Sequence, residues 1–264
     1  MCHPANGVPP AAPVVTGGVA AHGGLELDAA DGNRLRAYHA EPDAPIGRSV
    51  VILPDRRGLH PFYEKLALRF AEAGFRALAI DFYGRTAGAG PRGDAFDWAA
   101  HMPRLEAAHV DADVAAAVAW TRARSSDPVF TLGFCLGGAH SWRQAAGDLG
   151  LAGAVGFYGP PRFFGDATAA LSAPLLLLLA GDDAAAGQDE FQALVAGFEE
   201  PGRSTRCTST TAPRTPTSTC PPGTGRPPAP TPGSGSSTSP PATARWPDRP
   251  ARPSAYEPHV RVAG

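Results

Sequence analysis

The last quarter of this 264-residue sequence has almost none of the residue types that build a protein core. Between Pro201 and Ala255 there is no Val, Ile, Leu, Met or Phe, and Trp246 is the one large apolar side chain. Fifteen of the 29 prolines fall in the last 64 residues. Such a segment buries too little apolar surface to offset the entropy lost on folding. We therefore predict a disordered tail over residues 201–264, without a further strand or helix after Glu200.

Cysteine is also scarce. The four residues Cys2, Cys135, Cys207 and Cys220 lack the spacing of a metal site, and a single one lies in the part that looks folded. A disulfide framework and a cysteine-ligated metal are therefore excluded, and we expect no metal and no cofactor. The first fifteen residues have no basic region followed by an apolar run, and "PLLLLLAG" is too short to span a bilayer. We expect a soluble, cytoplasmic protein with no membrane partner.

Charge is divided unevenly between body and tail. Residues 1–200 hold 15 Lys and Arg against 23 Asp and Glu, whereas residues 201–264 hold eight Arg against two acidic residues. Binding to nucleic acid needs clustered Lys and Arg to contact phosphates. The acidic body therefore argues against a nucleic-acid partner, and the arginines of the tail form no helical stripe.

The middle of the chain has the pattern of an α/β domain. Residues 1–23 are rich in Pro, Gly and Ala and predict a flexible arm. Over residues 24–200, continuous apolar runs such as "SVVIL" and "FRALAI" alternate with amphipathic helical segments such as "PFYEKLALRFAEAG", while "NRLRAYHAE" is typical of an antiparallel edge strand. Continuous apolar strands are buried on both faces. The pattern predicts a doubly wound, mostly parallel sheet that lacks its last strand and helix.

The main chemical signal is the sequence Gly133-Phe134-Cys135-Leu136-Gly137, between a predicted strand and a predicted helix. It fits the pattern G-x-nucleophile-x-G, in which a tight turn holds the nucleophile above the sheet at a helix N-terminus. That position favours a thiolate, and the N–H of Leu136 would be aimed at a developing oxyanion. The alternative is a buried cysteine in a glycine-rich turn.

A carboxylate follows a later apolar run. Asp182 and Asp183 come directly after "PLLLLLAG", at the carboxyl end of a predicted parallel strand. Groups at this edge face the ligand in sheets of this kind, so either residue could orient a histidine. The alternative is an aspartate that caps a turn or a helix.

Residues 25–200 resemble the dienelactone hydrolase family, the cysteine-nucleophile members of the α/β-hydrolase fold. The similarity rests on "VVILPDRRGLH", "IDFYGR", "GFCLGG" and the G-x-D turn. The resemblance implies that Cys135 is the nucleophile and Asp183 the triad acid. It places Asp55 where the family has a glutamate that interacts with the resting thiol, and Arg56 where the second oxyanion N–H lies. The implied reaction is hydrolysis of a small-molecule ester or lactone through an acyl-cysteine, without metal or cofactor.

The family's third catalytic residue is not where the resemblance places it. The histidine would follow the aspartate by about thirty residues, near Arg214 and Thr215, and no histidine is there. Downstream of the aspartate the sequence has His259 alone, at the end of the predicted tail. We therefore expect the triad to be incomplete.

A shift of reading frame would explain this absence. If the coding DNA is read one base out of register, each new codon takes the last base of one codon and the first two of the next. Read in this way, the codons of Arg206–Thr219 can encode "VHVYDGAPHSYFD", a strand followed by the histidine loop. The histidine then lies at the Arg214–Thr215 junction. The tail's Ala, Gly, Pro, Arg, Ser and Thr are typical of GC-rich sequence read out of frame. The alternative is a genuine disordered tail of the same composition.

Two functions remain open at this point. The first is an ester or lactone hydrolase, impaired in this chain by the missing histidine. The second is a non-catalytic module that binds a small molecule or presents a reactive thiol, with a flexible tail for interaction. The sequence indicates neither the substrate nor the oligomeric state.

Overall fold

The computed structural model describes residues 4–164, 171–179, 186–197 and 205–209. Eight strands in this part form one sheet. They are β1 Val19–Asp28, β2 Arg34–Pro42, β3 Ser49–Leu53, β4 Arg76–Ile80, β5 Val129–Phe134, β6 Gly153–Phe157, β7 Leu175–Leu179 and β8 Thr205–Ser209. The helices are α1 Pro61–Glu72, α2 Gly84–Ala87, α3 Trp98–His101, α4 Ala107–Arg122, α5 Leu136–Gln144 and α6 Gln188–Ala196. Two 3-10 turns, Met102–Arg104 and Pro161–Phe163, follow α3 and β6.

The strand order across the sheet is β1-β2-β4-β3-β5-β6-β7-β8. The pairs β1–β2 and β2–β4 are antiparallel, and every pair from β4 to β8 is parallel. A parallel sheet needs helical crossovers, which cover both of its faces. The predicted doubly wound fold class is confirmed.

Alternate residues of the central strand β3 pack on opposite faces of the sheet. Val51 and Leu53 pack in the larger core with α4, α5 and α6, whereas Val50 and Ile52 pack in the smaller core under α1. All five residues of β3 are buried. This double burial is the reason why the strand is a continuous apolar run rather than an alternating one.

The amino-terminal edge differs from the sequence prediction. β1 begins at Val19, inside the segment predicted to be a flexible arm, and it covers the outer side of β2. β2, which contains "RLRAYHAEP", is antiparallel as predicted but lies inside the sheet, between β1 and β4. The sequence of β1, "VAAHGGLELD", contains two glycines, so its strand pattern is weak.

The prediction that no strand follows Glu200 is wrong. β8 lies parallel to β7, with Leu175 opposite Thr205 and Leu179 opposite Ser209. An edge strand needs backbone hydrogen bonds to one neighbour, and these do not require aliphatic side chains. Thr is also among the residues enriched in strands. The final helix, predicted to be missing, falls on residues 210–264, which lie outside the described part.

Candidate active site

The turn after β5 has the geometry that the G-x-C-x-G pattern predicted. Cys135 is the single residue between β5, which ends at Phe134, and α5, which begins at Leu136. Its φ is 53° and its ψ is −120°. A residue with a Cβ rarely adopts a positive φ, because the Cβ crowds the neighbouring backbone. The surrounding structure must therefore impose this conformation. The Cys135 N–H donates to the carbonyl of Phe157 at 2.9 Å, and the Cys135 carbonyl accepts from the Ala139 N–H at 3.2 Å.

Three glycines allow the turn to be this tight. A Cβ on Gly133 would overlap the carbonyl of Gly137, and one on Gly137 would overlap the carbonyls of Leu53 and Pro54. A Cβ on Gly138 would lie 2.5 Å from the carbonyl oxygen of Phe157. Each obstacle is backbone, which moves less readily than a flexible side chain. The glycines therefore let β3, β6 and α5 meet at the cysteine.

The start of α5 and the loop after β3 are joined directly. The Gly137 N–H donates to the carbonyl of Pro54 at 3.1 Å. The first N–H groups of a helix have no partner within the helix, and that of Leu136 is the first in α5. Since Asp55 and Arg56 follow Pro54, the two predicted oxyanion residues, Leu136 and Arg56, belong to adjoining segments.

Asp55 is fully buried and engaged by Arg57. The Arg57 backbone N–H donates to Oδ1 at 2.9 Å, and its guanidinium Nη2 donates to Oδ2 at 3.0 Å. His60 Nε2 lies 3.7 Å from Oδ2. Burial raises the pKa of Asp55, but His60 and the hydrogen bonds from Arg57 outweigh this effect and hold the pKa well below its ordinary value. Asp55 is therefore a carboxylate at neutral pH, with its charge balanced by Arg57.

The peptide of Arg56 is fixed by Tyr83, which lies between β4 and α2. The Tyr83 hydroxyl donates to the carbonyl of Arg56 at 2.5 Å, and Tyr83 is fully buried. The Arg56 guanidinium lies over the Trp98 ring, 4.2 Å from its centroid, which gives a cation–π contact. Asp81 Oδ1 accepts from the Leu59 N–H at 2.9 Å. The segment between β4 and α2 therefore holds the loop after β3 at two points.

Aromatic side chains that the sequence did not single out surround the turn. Phe134 stacks on Phe157 with centroids 4.9 Å apart, and Tyr63 lies 5.8 Å from Phe134. Tyr158 has a φ of 40°, the second positive value of a non-glycine residue among the described residues. Tyr158 precedes "GPP" in the sequence, a turn signal at the carboxyl end of an apolar strand that could have indicated it.

The remaining predicted site residues lie outside the described part. These are Asp182, Asp183 and His259, together with the Arg214–Thr215 junction. β7 ends at Leu179, three residues before Asp182, so the strand that was expected to present the acid is in place.

The comparisons with known proteins agree with this geometry. A model of the dienelactone hydrolase family matches residues 35–206. That range is nearly two thirds of the chain and ends within β8. The chain belongs to the dienelactone hydrolase family.

Individual proteins resemble this chain in sequence or in fold. A Salmonella typhi protein assigned as a carboxymethylenebutenolidase is 26% identical over 217 residues, which cover 73% of this chain and 78% of that protein. The carboxymethylenebutenolidase of Rhodococcus opacus is 31% identical over 148 residues, 55% of this chain and 54% of the relative. The structure of P91, a dienelactone hydrolase-like promiscuous phosphotriesterase from metagenomic libraries, has a TM-score of 0.58 at 22% identity and covers 72% of this chain and 82% of that chain. By its family the chain is an ester or lactone hydrolase.

Two buried histidines lie close to the family's catalytic segments. His60, at the N-terminus of α1, packs edge-on against Tyr63 with centroids 4.8 Å apart, and its Nε2 is 3.1 Å from Arg57 Nη2. His140 lies one turn into α5 and is 2% exposed. Burial lowers the pKa of His140 to about 4, with nearby Asp111 opposing the shift, so the ring is neutral at pH 7.

Neither a metal site nor a membrane-spanning helix is found in the described part of the chain. No group of three or more His, Cys, Asp or Glu there is arranged to hold a metal ion. No helix there is long and apolar enough to cross a membrane.

Proposed function

We propose that this active site hydrolyses an ester or lactone through an acyl-cysteine intermediate on Cys135. The thiolate Sγ attacks the carbonyl carbon, and the bond to the alcohol oxygen breaks when that oxygen takes a proton. Water then attacks the thioester, which releases the acid and returns the thiol. The observation that carries the proposal is the strained backbone of Cys135, φ 53°, at the junction of β5 and α5. A strained residue is typical of a functional position when the surrounding backbone imposes its conformation, as the close contacts at Gly133, Gly137 and Gly138 do here.

The N–H groups of Leu136 and Arg56 are proposed to bind the oxyanion. Leu136 begins α5, and Arg56 lies in the loop that accepts the hydrogen bond from Gly137. The hydrogen bond from Tyr83 to the Arg56 carbonyl supports this role, because preorganised donors need a fixed backbone. A donor held in place costs no reorganisation when charge develops.

Asp183 is proposed to be the triad acid, and Asp55 to modulate the thiol. An ionised carboxylate near a thiol disfavours the thiolate, since like charges repel. The pairing of Asp55 with Arg57 reduces this effect. Asp55 would therefore act on Cys135 jointly with Arg57 rather than as an isolated charge.

We also propose that activity is impaired in this chain because the triad histidine is absent. Without a base, a cysteine is ionised to a few per cent at neutral pH. The helix N-terminus raises that fraction but does not return a proton to the leaving group.

The out-of-frame origin of residues 201–264 is part of this proposal. The shifted reading places the strand "VHVY" on the codons that join Arg206 to Thr210, and β8 occupies Thr205–Ser209. A strand therefore lies beside β7 where the shifted reading places one, although the residues present are polar. The histidine loop would follow this strand.

The test compares four full-length proteins with an activated aryl ester: this chain, a chain whose reading frame is restored from Glu200, and the Cys135→Ala variant of each. General acid–base catalysis by a positioned side chain contributes about 10² to 10⁴ in rate. We expect a gain of that size on restoring the frame, and loss of the gain when Cys135→Ala is added. Family-like rates from this chain, abolished by Cys135→Ala, would contradict the impairment. Unchanged rates on restoring the frame would contradict the out-of-frame origin.

A non-catalytic, thiol-reactive module is the second candidate. It is favoured by the state of His140, the one histidine after Cys135 within the described residues, which is buried and neutral. Rapid alkylation of Cys135 by iodoacetamide, with no hydrolysis even after the frame is restored, would support this candidate over the hydrolase.

A further inference from the structure

The outer edge of the sheet at β1 has no neighbouring strand among the described residues. β1 runs over ten residues, and its pairing with β2 is regular from Ala21 to Asp28. In the strand order β1 is terminal, and β2 is the one strand of the described part that pairs with it. At alternate residues of β1 the N–H and C=O groups therefore point away from the sheet. Such a row of groups can pair with another chain.

β1 has few of the features that keep an edge strand from pairing. Natural edge strands are commonly protected by lysine, by proline or by being very short. The sequence "VAAHGGLELD" contains neither lysine nor proline, and its ten residues make a long strand. The irregularity in its register lies between Val19 and Ala21, at the start of the strand. The part from Ala21 onward is therefore an uninterrupted edge.

The two faces of β1 differ in burial. Alternate residues on one face are exposed, namely Ala20, His22, Gly24, Glu26 and Asp28. On the other face Leu27 is buried and Leu25 is partly buried, and both pack in the larger core. Trp120 of α4, also partly buried there, lies 5.9 Å from the ring of His39, which is opposite Gly23. The larger core is therefore incompletely covered at this edge, and an added strand would cover it.

Two-fold symmetry limits how this edge can pair with a second copy of itself. In an antiparallel pair, residues directly opposite each other lie on the same face of the sheet. A two-fold axis perpendicular to the sheet keeps each side chain on its own face, so the pairing is centred on a residue rather than between two residues. Centred on Gly24, it extends over residues 21–27, all within the regular part of the strand.

The register centred on Gly24 is complementary in charge. It places the exposed His22 opposite the exposed Glu26 of the second copy, and this pair occurs twice in the dimer. When His22 Nδ1 accepts from the Tyr38 hydroxyl, 2.7 Å away, Nε2 carries the proton and can donate to that carboxylate. Glu26 Oε2 lies 3.8 Å from Arg34 Nε, which is longer than a hydrogen bond, so it can accept one from the second copy.

The same register is complementary in volume. Gly24 lies opposite itself at the axis, where no side chains collide. The nearest atom to a Cβ built on Gly24 would be the Ala37 carbonyl oxygen at 4.0 Å, so this position is open. Gly23 lies opposite Leu25 of the second copy, and its lack of a side chain leaves room for that leucine beside Trp120.

We propose that two copies of this chain pair along β1 as an antiparallel dimer, which joins the two eight-stranded sheets into one. The partner is a second copy because the edge matches itself under a two-fold axis in backbone hydrogen bonding, in charge and in volume. The dimer does not depend on the hydrolase function. Strands β2, β4 and β3 lie between β1 and β5, after which Cys135 follows.

Sedimentation velocity of the full-length chain, over about 1 to 100 µM, tests the dimer. We expect monomer at the lowest concentration and dimer at the highest. His22→Glu places two carboxylates opposite each other and should raise the Kd of the dimer about tenfold relative to His22→Lys, which loses the same contact with Tyr38 but keeps opposite charges. Circular dichroism establishes that both variants are folded. A monomer throughout the range, or equal Kd values for the two variants, would overturn the proposal.

Disulfide crosslinking locates the axis. Directly opposite residues of an antiparallel pair have Cβ atoms about 4.5–5.5 Å apart, so oxidised Gly24→Cys should give a dimer linked at position 24 in both copies. Ala20→Cys, exposed on the same face but far from the axis, should give no link between its two new thiols. Because both variants retain the native cysteines, mass spectrometry of the linked peptides is the measurement. A dimer in which Gly24→Cys gives no such link, or in which Ala20→Cys links equally, would overturn the assigned interface.

Discussion

The nucleophile turn and the edge strand β8 are specified in different ways. At the turn, backbone packs directly on backbone, and a Cβ on Gly133 or Gly137 would overlap a carbonyl group. In β8 the sequence is Thr-Arg-Cys-Thr-Ser, and the strand is defined by its pairing with five leucines of β7. A position fixed by sterics leaves a residue pattern that can be recognised. A strand fixed by its neighbour does not.

This difference bears on function as well as on folding. The turn holds the proposed nucleophile, Cys135, and one proposed oxyanion donor, the N–H of Leu136, in adjacent residues. The resemblance places the family's histidine beyond β8, near Arg214 and Thr215, where the sequence has no histidine. The sheet can therefore extend to β8 even in a chain whose triad, as we propose, is incomplete.

The steric specification of the turn predicts the largest effect on stability. Gly137→Ala would drive a Cβ into the carbonyls of Leu53 and Pro54, so we expect a loss of about 3 kcal/mol or more in the free energy of unfolding. Urea unfolding followed by circular dichroism measures it. The control is Gly147→Ala, where the nearest atom would be the Gln144 carbonyl oxygen at 3.5 Å, and we expect a change within about 0.5 kcal/mol. Equal losses in the two variants would show that the turn is not sterically constrained.

The buried His140, on the helix that follows the turn, should make the free energy of unfolding depend on pH, independently of β8. The pKa of His140 is lowered from 6.5 to about 4 in the folded protein. As pH falls below 6.5 the unfolded chain binds a proton that the folded chain does not, so stability decreases until pH approaches 4. The difference of about 2.5 pKa units corresponds to about 3 kcal/mol at most.

Urea unfolding at pH 7 and pH 4.5 should show most of this loss in the unaltered protein and much less in His140→Leu. The window stays above pH 4 because the stabilising charge of Asp55, whose pKa is lowered, is lost below that range. His109→Gln, a change at a half-exposed histidine on α4, should retain the full pH dependence. The same dependence in His140→Leu would contradict the neutral, buried state.

The pairing of β8 predicts the smallest effect. Along an edge strand, N–H groups point alternately toward the neighbouring strand and away from it. Of Cys207→Pro and Thr208→Pro, one should remove a ladder hydrogen bond and cost about 1 kcal/mol, and the other should cost much less. Amide hydrogen exchange in β7 and β8 provides the measurement. Two neutral prolines would contradict the pairing and would restrict the sheet to seven strands.

Much of the fold and part of the site could be predicted from the sequence. The doubly wound sheet, α1 from Pro61 with Gly74 beyond its end, and the turn at Cys135 follow from apolar runs, helix punctuation and glycine spacing. β1 and β8 could not be predicted, because glycines weaken the pattern of the first and the second has no aliphatic residue. The engagement of Asp55 by Arg57 is a contact between close neighbours in sequence, but its burial and the approach of His60 depend on how the loop folds back onto α1.

The sequence by itself determined two features of the site. One is a cysteine between glycines at a strand–helix junction, and the other is that no histidine lies where the resemblance to the family places one. Both follow from residue identity at fixed spacing, which no folding event alters. The tertiary structure alone decided that Tyr83 fixes the Arg56 peptide, that His140 is buried and neutral, and that polar residues form the last strand. These features depend on burial and on backbone pairing between segments distant in sequence, which local residue patterns do not encode.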